Sequence, residues 1–207
     1  MQKLALLIAI IVSSFAGAQS NYQKGMEKAF SLWQENKAIE ASNLFERIAS
    51  AEKDNWIPFY YAAQVNVLKS FNEKEKGILE AQLSKAQSFI DSAIKLSPEN
   101  AELLILQAQL HTAWIAFDGA SYGMMLSPKV SSLYTKALEV APSNPRVVLS
   151  KAEWDMGSAR FFGQDTAPFC KDVEKSLELF ATFKPSGEFA PNWGEERAKQ
   201  IVESCSQ

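Results

Sequence analysis

From Asn21 onward, apolar residues return every three or four positions, the spacing that lines one face of an α-helix. The first such stretch is Asn21 to Asn36, with Ala29, Phe30, Leu32 and Trp33 on or beside one face. Lys37 to Glu52 follows as an antiparallel partner, carrying Ala38, Ala41, Leu44, Phe45 and Ile48. Asn55 is placed to cap a third helix, in which Pro58 is tolerable only in the first turn. Lys69 to Lys76 is polar and reads as a loop or frayed end, and Ile78 to Leu96 as a long helix. Ala101 to Phe117 is apolar nearly all round, so it is expected to be the most buried helix. Asp118 to Leu126 breaks the pattern and reads as an irregular insert, after which Ser127-Pro128 reads as a cap and first turn. Asn144-Pro145 repeats that device. A turn at Gly163 to Thr166 precedes a helix from Pro168 to Phe183. Pro185 to Pro191 is a connector, and Asn192 with Glu195 reads as a capping box for a last helix running towards Cys205.

The pattern repeats. Ala93 and Ala137, Pro98 and Pro142, Asn100 and Asn144, and Ala108 and Ala152 all stand at one common offset of about 44 residues. Each position has a physical role. Alanine lets two helix axes approach closely. Proline stops a helix because it has no N–H to give. Asparagine caps the following helix through its side-chain oxygen.

On these residues the chain resembles the tetratricopeptide repeat family. Ala86, Ile90, Ala93 and Pro98 match its second-helix pattern, with Ala108 in the next first helix. Val130, Tyr134, Ala137 and Pro142 match it again, followed by Ala152; Ala41, Phe45 and Ile48 match it earlier, with Lys53 where proline is expected. The period departs from the family's ~34. The extra residues fall between the two helices of a pair, as longer helices or inserted loops. The resemblance implies an all-α, right-handed stack of antiparallel helix pairs, an α-solenoid, with a C-terminal capping helix. It also implies a concave surface, lined by first helices, that binds partner peptides. Mapped residue by residue, that surface would present Asn66, Gln109, Thr112, Arg146 and Glu153, with Trp56 and Phe59 as aromatic anchors.

The start of the chain adds a compartment. Lys3, the apolar run Leu4 to Val12 and the small residues Ala16-Gly17-Ala18 read as a secretory signal over residues 1–18, leaving a single domain at 19–207. The apolar run is shorter than the ~20 residues of a comfortable membrane span, and nothing later in the sequence is long and apolar enough to cross a bilayer. Loss of Lys3, with no acid lost, moves the net charge from −3 to about −4. With lysines scattered among glutamates there is no stripe to track phosphates, so nucleic acid is excluded as a partner.

Candidate chemistry is sparse. Two cysteines in an exported chain invite a Cys170–Cys205 disulfide, with two free thiols as the alternative. His111 is the only histidine. A hydrolytic triad or a metal site built on it lacks further partners at matched spacing, and no metal or cofactor is implied. The sequence has no Walker loop and no GxGxxG. Glu153 and Asp155 lie two apart on a helix and do not face each other.

The expectation is a non-enzymatic protein- or peptide-interaction scaffold, exported to the bacterial periplasm or cell envelope. The alternative is a small-ligand protein, with or without hydrolysis, whose pocket lies under residues 118–126 and is lined by Tyr122, Trp114 and convergent carboxylates. A homo-oligomer through an unfilled terminal face is a third possibility. N-terminal sequencing of the exported protein is expected to begin at Gln19, and an intact Met1 would remove the signal-peptide reading.

Overall fold

The computed structural model describes residues 21–205; the secretory signal read over residues 1–18 lies outside them. Among the described residues every regular element is helical. Residues 21–34 form α1. It is followed by α2 (Ala38–Ala51), α3 (Trp56–Ser70), α4 (Lys76–Leu96), α5 (Ala101–Phe117), α6 (Gly119–Val140), α7 (Pro145–Phe161), α8 (Ala167–Thr182) and α9 (Glu195–Cys205). Successive helices pack as neighbours, and α5 also touches both α3 and α7, so that the three form an inner row.

The repeated residues do what their chemistry requires. Ala93, Ala108, Ala137 and Ala152 are each fully buried where helices meet. Asn55, Asn100 and Asn144 each accept a hydrogen bond from the backbone N–H two residues on, at 3.0, 2.9 and 3.0 Å. Three inner-row helices therefore begin with the same device.

The structure revises four readings. Residues 118–126 are not an insert. Asp118 caps α6 by accepting from the Ser121 N–H and hydroxyl, at 3.0 and 2.6 Å, and the helix runs on through Pro128. Ser127-Pro128 imitates a helix start because proline is favoured there, but this proline is exposed and water can serve the carbonyl left without an N–H. The long period thus comes from long outer helices: α4 has 21 residues and α6 has 22, against 14 in α2. The last helix starts after Gly194, whose carbonyl accepts from Ala198, so Asn192 is not its cap. Finally α3, with ten buried residues, is more buried than α5, with eight, because α3 is covered by α2, α4 and α5 together.

Burial passes down the row in three linked clusters. The first joins α1 to α5 around Phe45, Tyr60 and Tyr61; the second holds Ile105, Val130 and Tyr134; the third joins α7, α8 and α9 around Leu149, Val173 and Ile201. Cys170 and Cys205 are bonded and tie α8 to α9. Closing a loop with a sequence separation of 35 contributes roughly 4 kcal/mol in the chain-entropy picture.

One ion pair is buried between α5 and α7. Arg146 Nε lies 2.9 and 3.0 Å from the two Glu102 carboxylate oxygens, and Nη2 lies 2.6 Å from one of them. Asn144 donates to the same carboxylate at 2.6 Å. Both residues stand second in their helices, one repeat apart. Removing one partner leaves an uncompensated buried charge, whereas an apolar pair of similar volume does not. Glu102→Leu alone is expected to lower stability by about 3–5 kcal/mol. Arg146→Met added to it should recover most of that loss in urea unfolding, and an equally unstable double variant would show that the pair is not the source.

Candidate functional site

The connector between α8 and α9 does not hang free. It runs back across the inner row to α1 and returns, as a strap over residues 183–194. Phe189 stacks on Phe30 at 6.0 Å between ring centroids and meets Tyr22 edge-on at 5.5 Å. Glu188 accepts from Gln23 at 3.0 Å, and Trp193 donates its indole N–H to the Tyr60 hydroxyl at 2.8 Å. Gly194 must be glycine: its φ is +111°, and a Cβ would come within 2.9 Å of Phe180 and 3.2 Å of Leu149. Phe183, at the start of the strap, lies 4.6 Å beneath the Arg146 guanidinium.

The Asp118 turn and the strap each bound a concave site. The outer one opens between α4, α5 and α6. His111 and Trp114 lie one turn apart on α5, and the tight Asp118 turn returns the chain so that Tyr122 meets Trp114, ring centroids 4.9 Å apart. Met125 and Leu126 from α6 and Leu83 from α4 complete a mostly carbon-lined cleft of about 370 Å³. His111 is half-buried, with Nε2 3.3 Å from the Gln107 amide nitrogen. Burial, aided by the positive charge of Lys129, pushes its pKa below the ordinary 6.5, so the imidazole is neutral at pH 7. Glu80 is the one carboxylate lining this cleft, so the convergent acids of the hydrolytic alternative are not there. Among the described residues no group of three or more His, Cys, Asp or Glu is placed to hold a metal ion.

The inner site lies between the strap and α1, α3 and α5. Phe30, Trp33, Tyr61 and Trp193 wall a cavity of about 270 Å³, into which Gln64 and Gln109 also face. The Oε1 atoms of both glutamines are shut away without a hydrogen-bond partner. Leaving a buried amide unpaired costs about 1–3 kcal/mol.

The residues proposed for the partner surface do not share one surface. Gln109 faces the inner cavity. Asn66 is 9% exposed and donates to Ser42 Oγ at 2.8 Å and to the Ala62 carbonyl at 2.7 Å. Thr112 donates to the Ala108 carbonyl at 2.9 Å. Arg146 is 2% exposed in its ion pair, and Glu153 accepts from Arg197 of α9 at 2.8 Å. Trp56 borders a different cleft, near Arg146 and Phe183. Sequence reasoning missed Gln64, Phe189 and Trp193. The signal for the last two was present: aromatic residues inside a Pro-, Gly- and Ser-bearing connector need somewhere to be buried.

The geometry defines an all-helical protein of packed helix pairs with aromatic-walled clefts and a self-inserted strap. A solved structure of like fold is the HusA haemophore from Porphyromonas gingivalis, with a TM-score of 0.78 and 23% sequence identity, covering 89% of this chain and 92% of that one. At that identity the likeness speaks to the fold. No protein-family model matches this sequence, and no curated protein matches it either.

The strap makes a prediction of its own. Trp193→Phe keeps one aromatic ring but leaves the buried Tyr60 hydroxyl without its donor, and should cost at least about 1–2 kcal/mol in chemical denaturation. Tyr60→Phe added to it should cost little more, and an additive second loss would argue against a shared hydrogen bond.

Proposed function

We propose that this is an exported, non-enzymatic ligand-binding protein whose cargo is a flat, largely apolar ring system, with an iron porphyrin as the leading candidate. The observation that carries the reading is the α4–α5–α6 cleft, where a carbon-lined wall, the Trp114–Tyr122 ring pair and a neutral histidine converge. Support for the ligand class comes from the neighbour of like fold, which is described as a haemophore. Ring faces of Trp114 and Tyr122 offer the contact area that an extended π-system buries. Neutral His111 can give up its hydrogen bond with Gln107 and offer a ring nitrogen to iron. Lys129, whose charge is felt at His111, can meet carboxylates at the ligand edge. In the same reading the helix pairs form a tetratricopeptide-like right-handed stack, and the mature protein resides in the envelope or beyond it. No helix among the described residues is long and apolar enough to cross a membrane.

A second reading keeps a protein partner on the inner row. One observation limits it: the strap already lies across that row, with Phe189 and Trp193 seated where a partner's side chains would go. A partner peptide would have to displace it.

Titration of the chain 19–207 with haemin is expected to give a saturable Soret shift. His111→Ala should alter that spectrum, and Trp114→Ala should weaken binding by about tenfold. The His111 pKa is depressed in the folded chain, so its neutral form persists below pH 6.5 before protonation competes with any iron bond. By the same sign, its contribution to stability is full above 6.5 and is lost as pH falls through the window beneath that value. Binding should therefore hold at pH 7 and weaken on acidification below 6.5, and the fall should be absent in His111→Ala. No saturable shift, or one indifferent to both substitutions, would remove haem from this cleft.

A further inference from the structure

The inner cavity has a chemistry unlike the outer cleft. No charged side chain lines it. Its walls are four aromatic rings and Leu68, and beside the Tyr61 hydroxyl and the Trp193 N–H it is lined by three side-chain amides: Gln64 on α3, Gln109 on α5 and Asn192 on the strap. Gln64 is 4% exposed, and its oxygen has no partner; the Gln109 oxygen is equally shut in and equally unpartnered. The Trp193 N–H is already committed to Tyr60 and cannot serve them. Buried amides are normally paired; these two oxygens lie closed to solvent behind the cavity wall, and a turn of either side chain would bring an unsatisfied amide to an occupant.

From this we propose that the inner cavity is a binding site for a neutral sugar ring. An unpaired amide oxygen calls for a donor, which removes purely apolar occupants. The uncharged lining gives an anionic group nothing to pair with, which removes phosphates, acidic sugars and the carboxylate edge of a porphyrin. A pyranose answers what remains. Its C–H faces pack on indole and phenyl rings, while its hydroxyls radiate around the rim towards amides held by three separate elements. Each hydroxyl both donates and accepts, so it serves a glutamine amide whichever way the amide is turned. A nucleobase carries its polar groups along in-plane edges and matches three spread amides less well. The strap closes one side of the cavity through Asn192 and Trp193.

The test uses the chain 19–207, tryptophan fluorescence and calorimetry. The probes are methyl α-glucoside, methyl β-galactoside, mannose and N-acetylglucosamine, with glucuronate and uridine as contrasts. At least one neutral sugar should give saturable quenching, with glucuronate and uridine weaker by about tenfold. Gln109→Leu and Gln64→Leu should each lower that affinity by about tenfold, the loss of one hydrogen bond, while leaving haemin spectra unchanged. Asn192→Ala, exposed at the rim, tests the same site with no buried group altered and should weaken sugar binding as well. Four outcomes would overturn the proposal: no saturable response to any of the four sugars, uridine binding more tightly than all of them, wild-type affinity in both glutamine variants, or variants that merely gain thermal stability with no sugar response, the mark of amides facing trapped water. Haemin binding is read separately, so failure at either site leaves the other distinguishable.

Discussion

The Glu102–Arg146 pair is the interaction on which the other parts lean. It joins the second residues of two inner-row helices, so the spacing of α5 and α7 is set by a guanidinium fork on a carboxylate. The Asn144 that caps α7 donates to the same carboxylate, which couples a helix start to the pair. On its other side the guanidinium carries Phe183, the first residue of the strap. Glu102 is also felt by Tyr60, where it adds to the burial that raises the phenol's pKa and keeps the hydroxyl protonated beside the Trp193 indole. Loss of the pair would loosen a helix contact, a cap and the strap together, which no surface salt bridge of this chain could do.

Around that point the outer cleft and the inner cavity are held in different ways. The outer cleft is formed by a one-residue turn between two long helices, which sets Tyr122 against Trp114 without any loop to shift. The inner cavity depends on a segment that arrives from the far end of the chain. Gln109 and His111 lie two apart on α5 and therefore serve opposite sides of the same helix, one facing the strap and the other facing α6. A single well-packed helix thus positions polar groups for both sites.

Much of the helix order could be read directly because it rests on local chemistry. Asn100 and Asn144 act through bonds two residues away, and the apolar spacing of α2 and α4 points at immediate neighbours. The errors share a cause of the opposite kind. Ser127-Pro128 has the local chemistry of a helix start, and the packing of α6 on α5, with Leu126 and Val130 buried on either side of the proline, carries the helix through it. Of the candidate surface, Gln109 was legible from its repeat position, whereas Arg146 was drawn inward by a residue one repeat earlier. Opposite charges at equivalent repeat positions were visible in the chain, and a pairing of successive repeats through them was the inference to make. Gln64 gave no signal, since a glutamine on a helix is ordinarily solvated.

The strap changes what kind of object this array is. Helix-pair arrays have short-range contacts, and their units gain and lose structure semi-independently, as links in a linear chain. Here Gln23 and Glu188 meet across a sequence separation of 165, and Phe189 is packed into the first helix. The strap thereby ties the far end of the row to its first helix. Such closure raises the contact order, so final assembly waits on a long loop search. It also turns a modular array into a single cooperative unit, in which fraying of the first helix and release of the last segment become one event.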